Sequence, residues 1–179
     1  MRSSSACSSA PIVAVLVLSA CLGGRDAPLD TPAGGYHDPA DASTVVTLER
    51  TICFGVCPAY SLRIAGDGNV AYEGKHYVRV AGTAWGKIPV ADVQNLVGQM
   101  MEADYFNLSV PEDCPEGIAT DFPTATTSLT LAGQTHTVEH YHGNSCAPEV
   151  LRTIEDQIDA TANSSQWVNC DTTDGTCGK

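Results

Sequence analysis

The chain has 179 residues and a net charge of −12, from 21 acidic and 9 basic side chains. That acidity argues against nucleic acid or an anionic headgroup surface as a partner, and the length fits one domain with a short appendage. With 43 % hydrophobic residues a core can form, while no stretch reaches the roughly 20 apolar residues that a spanning helix needs.

The N-terminus carries the first readable element. Pro11-Ile12-Val13-Ala14-Val15-Leu16-Val17-Leu18 is an apolar run of signal h-region length, preceded by Arg2 and followed by the small residues Ser19 and Ala20. Leu18-Ser19-Ala20-Cys21 looks like a bacterial lipobox. The resemblance implies removal of residues 1–20 and a diacylglycerol thioether on Cys21. Each buried methylene contributes about 0.8 kcal/mol, so two or more acyl chains anchor stably where one does not. The alternative is plain secretion with an unmodified Cys21. Residue 22 is Leu rather than Asp, which by the sorting rule of enteric bacteria favours the outer membrane. Cleavage removes Arg2 and no acid, taking the net charge from −12 to −13.

Residues 22–43 are rich in Gly, Pro, Ala and Asp, lack an apolar period and read as a flexible tether. About 22 residues at flexible-chain statistics reach roughly 25 Å. His37 within it reads as solvated.

A folded region is expected over 44–168, in the order strands, helix, strands, helix. Val45-Val46-Thr47-Leu48 reads as a strand. Tyr60, Leu62 and Ile64 alternate with polar residues, Gly66-Asp67-Gly68 supplies a turn, and Val70 and Tyr72 resume the alternation. A second turn near Gly74-Lys75 would lead to a third run through Val78 and Val80. Over 89–104 the period changes. Val93, Leu96, Val97 and Met100 form one helical stripe behind Pro89. Strands follow at 126–131 and 135–141 across Ala132-Gly133-Gln134. The last helix starts near Pro148, with Leu151, Ile154 and Ile158 on one face and Glu149, Arg152, Asp156 and Asp159 outside. This predicts an α+β fold, an antiparallel meander plus hairpin with two helices packed on one face.

Setting aside Cys7 and Cys21 leaves Cys53, Cys57, Cys114, Cys146, Cys170 and Cys177. An even set in an exported chain suggests three disulfides, although six cysteines permit 15 pairings. Local spacing favours Cys53–Cys57, Cys114–Cys146 and Cys170–Cys177, the last closing a tail over 169–179. On the loop-entropy account they contribute about 2, 3.7 and 2.5 kcal/mol. Two other roles stand open for Cys53 and Cys57, as a redox pair or as metal ligands. The first lacks the Cys-x-x-Cys spacing at a helix start, and the second needs reduced thiols.

The segment Thr51-Ile52-Cys53-Phe54-Gly55-Val56-Cys57-Pro58-Ala59-Tyr60 resembles the cysteine motif of a bacterial domain-of-unknown-function family, number 6438. Asp121-x-Pro123-Thr124 and His140-Tyr141 extend the resemblance, which covers about residues 44–167. It implies a fold and no reaction, because the family itself is uncharacterised.

His136, His140 and His142 share one strand face, with His140 and His142 about 7 Å apart at Cα, a spacing that two ligands of one metal can use. A third ligand has to come from elsewhere, such as His76 or an acid. The plainer alternative is three surface or hydrogen-bonded histidines. The sequence holds no Gly-x-Ser-x-Gly elbow, phosphate loop, His-Glu-x-x-His or EF-hand loop. Asp171-Thr172-Thr173-Asp174-Gly175 lacks calcium-loop spacing. Trp85 and Trp167 read as core or rim aromatics.

The expected protein is thus a lipid-anchored extracytoplasmic envelope protein. It reaches the membrane through Cys21 and acts as a non-catalytic interaction or structural module for an envelope protein or ligand. No cofactor and no nucleic acid are implied. The alternatives are a metal-binding protein or metalloenzyme centred on His140 and His142, and a thiol–disulfide protein using Cys53 and Cys57.

Overall fold

The computed structural model describes residues 43–169. The signal segment, Cys21 and nearly all of the tether, and the Cys170–Cys177 pair with the tail, lie outside the described residues. Six strands are β1 (Val45–Arg50), β2 (Ala59–Ala65), β3 (Asn69–His76), β4 (Gly82–Lys87), β5 (Thr124–Leu131) and β6 (Gln134–Tyr141). The helices are α1 (Val90–Glu102), α2 (Val150–Ala162) and the short α3 (Ser165–Val168). The strands form one sheet in the order β4-β3-β2-β1-β5-β6, antiparallel at every pairing. β1 therefore sits between the meander and the hairpin. This is the expected α+β architecture. Among the described residues no helix is long and apolar enough to cross a membrane.

Alternation decides which face the helices cover. Val46 and Leu48, Leu62 and Ile64, Val70 and Tyr72, Leu129 and Val138 are all buried on one side. Val93, Leu96, Val97 and Met100 of α1 and Leu151, Ile154 and Ile158 of α2 pack against them. The other face carries Thr47, Glu49, Ser61, Arg63 and Glu73, so it is wet. A polar pair is buried in the core, Tyr105 hydroxyl with Thr127 Oγ1 at 2.8 Å, each satisfying the other.

The Gly66–Gly68 turn forms as expected. Gly68 has φ +86°, and a Cβ there would lie 2.2 Å from the Ile88 carbonyl oxygen.

The expected turn at Gly74-Lys75 and strand through Val78 are corrected. β3 runs on to His76, and the fourth strand is Gly82–Lys87. Residues 77–81 cross the core face instead. Val78 is fully buried, and Val80 N–H donates to the Trp167 carbonyl at 2.9 Å. Gly74 makes room for this crossing, since a Cβ would lie 2.0 Å from the Val80 carbonyl oxygen and 2.9 Å from Val78 Cγ2. Gly74 is thus a packing glycine rather than a turn residue. Gly74→Ala is expected to lower stability by about 1–3 kcal/mol, read as a lower urea midpoint with an unchanged slope. Trp167 is buried and stacks on Tyr72 at 5.1 Å, whereas Trp85 is exposed on the edge strand β4.

Two of the expected disulfides are formed, Cys53–Cys57 and Cys114–Cys146, each with Cα atoms 5.6 Å apart. The first closes the β1–β2 loop. The second ties the segment after α1 to the approach to α2.

Candidate functional site

A lateral row of residues sets the site. Strand register aligns Tyr60 of β2, Arg50 of β1, Ala125 of β5 and His140 of β6. Alternation puts this row on the helix-covered face, one step beyond the row of Leu62, Leu48, Thr127 and Val138. Three of its four members are polar, and Ala125 leaves space between them. α2 lies over the row. Glu155 and Asp159, one helical turn apart, share the face that meets it.

The contacts follow from that placement. Glu155 is only 1 % exposed and His140 only 3 %. His140 Nδ1 lies 2.6 Å from Glu155 Oε1, and His142 Nε2 lies 2.7 Å from Oε2. Arg50 Nη1 approaches Oε2 at 3.2 Å, while its Nε and Nη2 meet Asp159 Oδ2 at 3.0 and 2.9 Å. Tyr60 hydroxyl and Ser164 Oγ each donate to Asp159 Oδ1 at 2.6 Å. At the open side, Arg152 Nη1 faces His142 Nδ1 at 3.2 Å and Nη2 donates to the His142 carbonyl at 3.0 Å.

Electrostatics fix the protonation states. Burial pushes the Glu155 carboxyl up, but the hydrogen bonds from His140 and His142 and the Arg50 charge outweigh it, so it lies below the ordinary carboxylate value. Burial also holds the His142 imidazole below its ordinary value, against the opposing pull of Glu155 and with help from Arg152. Glu155 is thus an anion, to which His140 donates from Nδ1 and His142 from Nε2. Neutral His142 then accepts from Arg152 at Nδ1. Burial and the Asp159 charge push the Tyr60 hydroxyl well up, so it stays a donor.

Both Glu155 and His142 release protons more readily in the folded state than when free. The unfolded chain therefore binds more protons as pH falls, and their stabilisation is lost in acid. Melting temperature is expected to decline from near the ordinary histidine value of 6.5 down through the carboxylate value of 4.5. A Glu155→Gln variant should show a flatter profile across the same pH series.

His136 does not join this cluster. It lies four residues back along β6, about 13 Å at strand rise. Its Nε2 meets the Leu108 carbonyl at 2.8 Å and its ring packs edge-on to Tyr105. His76 is exposed at the end of β3 and also stands apart. His140, His142 and Glu155 alone bring donor atoms within 4.8 Å of one another among the described residues. The acid that completes the set is legible after the fact. Glu155 occupies a position of the stripe Leu151, Ile154, 155, Ile158, where an apolar residue is the norm.

An open cavity of about 420 Å³ adjoins the two imidazoles, lined by Phe122, Asn144, Ser145 and Arg152 among others. The Ser145 hydroxyl is engaged by Cys114 and Glu116 rather than by either imidazole.

A second feature lies at the same end of the sheet. The disulfide-closed β1–β2 loop exposes Ile52, Phe54 and Val56, with Phe54 88 % exposed. Gly55 N–H donates to the Cys53 carbonyl at 2.9 Å, tightening the loop. Phe54 N–H donates to the Asp121 carbonyl at 3.1 Å, which places the loop next to the segment carrying exposed Ile118 and Phe122.

The fold and this end together define a disulfide-stapled α+β domain with a one-sided antiparallel sheet and a buried His–Glu–Arg cluster. Residues 44–162, well over half of the chain, match the family described as Domain of unknown function (DUF6438), and the chain belongs to that family. No curated protein shows significant similarity to it.

Proposed function

We propose that this chain is an exported, lipid-anchored envelope protein whose domain is a non-catalytic binding module, held to the membrane through Cys21. One observation carries the module reading. Ile52, Phe54 and Val56 stand exposed on a loop that the Cys53–Cys57 disulfide and the Asp121 contact hold in place. Exposed apolar side chains grouped at one end of an acidic protein are what a docking surface requires. A loop already fixed before binding loses little entropy on docking. The loop lies at the opposite end of β1 from Val45.

The test is site-specific photo-crosslinking in intact envelopes, with the probe at Phe54 or, as control, at Glu73 on the wet sheet face. A discrete adduct from position 54 alone, lost in a Val56→Asp background, supports the reading. Equal yields from both positions, or none from position 54, would overturn it.

A further inference from the structure

We propose that His140, His142 and Glu155 form a binding site for one divalent transition-metal cation of the zinc type, open to solvent on its cavity side. The site goes beyond the docking role and does not depend on it.

Three observations carry it. The donor set is two imidazoles and a carboxylate, a combination suited to zinc, copper, nickel or iron. The donor atoms lie within 4.8 Å of one another, offered by β6, the turn that follows it and α2. The cavity of about 420 Å³ leaves coordination positions for water or a ligand.

The proton balance is simple. Without a cation, His140 Nδ1–H and His142 Nε2–H point at Glu155. A cation takes the place of these two hydrogen bonds: each coordinating nitrogen gives up its proton, which a ring free at its other nitrogen takes up there. No proton need leave the protein. His140 Nε2 has no partner among the described residues and can accept that proton. His142 Nδ1 becomes a donor and can no longer accept from Arg152, so the exposed Arg152 side chain must give up its Nη1 contact and turn that donor away. Arg50 keeps its contact with Glu155 Oε2 as an outer-shell donor that orients the carboxylate. Arg152 is then a built-in competitor of the cation, which gives the proposal a distinctive consequence.

The experiment is titration of the full-length chain in detergent with zinc chloride, followed by calorimetry and by histidine ring NMR shifts. One equivalent should bind, with ring shifts at His140 and His142 and none at His136. His142→Gln, a partly exposed position, should weaken binding by more than about 100-fold, beyond the loss typical of outer-shell changes. Arg152→Ala should strengthen it by about fivefold, the scale of one exposed charged contact. His136→Gln should leave it unchanged, and far-ultraviolet dichroism checks that each variant is folded. Absence of stoichiometric binding at micromolar zinc, or binding of equal strength in folded His142→Gln, would overturn the site. A weakening in Arg152→Ala would overturn the proposed role of Arg152.

Discussion

Glu155→Ala is expected to lower folding stability by about 3–5 kcal/mol. The reason is the position of the carboxylate rather than the number of its contacts. Glu155 is buried and holds two imidazoles, which lose their carboxylate acceptor once it is gone, while Arg50 Nη1 loses one of its contacts and keeps Asp159 through Nε and Nη2. The alanine also leaves a cavity beneath α2. Glu155→Gln keeps the volume and should cost less, about 1–3 kcal/mol, the desolvation cost of donors left imperfectly paired. A cycle with Arg50→Ala should show coupling of about 1–3 kcal/mol, because both residues share one network with Asp159. Urea unfolding of the four proteins measures it. Additive costs would mean that Arg50 and Glu155 are held independently.

Removing the Cys114–Cys146 bridge by a double alanine substitution is expected to cost about 3–4 kcal/mol. The bridge closes 32 residues of sequence separation, and that span contains both β5 and β6. The Cys53–Cys57 pair closes only four, and its loss should cost about 2 kcal/mol. Melting curves of both double variants, with and without reductant, separate the two. Reductant should lower the wild-type melting temperature and leave the Cys114→Ala/Cys146→Ala protein changed only through the bridges it retains.

Much of the fold was legible because its signals are local. Period-two alternation around Tyr60 to Tyr72, the Gly66–Gly68 turn and the stripes of α1 and α2 each declare themselves within a few residues. Short sequence spacing likewise favoured both disulfides that the described residues contain. β4 was missed because its sequence, Gly-Thr-Ala-Trp-Gly-Lys, has little apolar alternation. Its core side presents only the small residues Ala84 and Gly86, the latter against the Trp167 ring, so no large apolar alternation marks it. Val78 and Val80 imitated a strand because they pack across the core face over Gly74, a long-range arrangement that no local pattern encodes.

The site divides in the same way. His140 and His142 could be placed on one face from strand period alone. Arg50, Tyr60 and Asp159 could not, because they meet only through the register of β2, β1 and α2. Glu155 was missed, although an acid at a position of the apolar stripe Leu151, Ile154, Ile158 is a signal that could have found it. His136 shares the face and not the site, since face says nothing about distance along a strand.

The docking loop, the oxidised cysteines and the anchor form one account that rests on Cys21. Mass spectrometry of the N-terminal peptide tests it most directly, on the full chain expressed in a bacterium with lipoprotein-processing machinery and recovered from membranes. The account predicts that residues 1–20 are absent and that Cys21 is the first residue, carrying a diacylglycerol thioether. A retained Met1, or a chain beginning elsewhere with an unmodified Cys21 thiol, would contradict it.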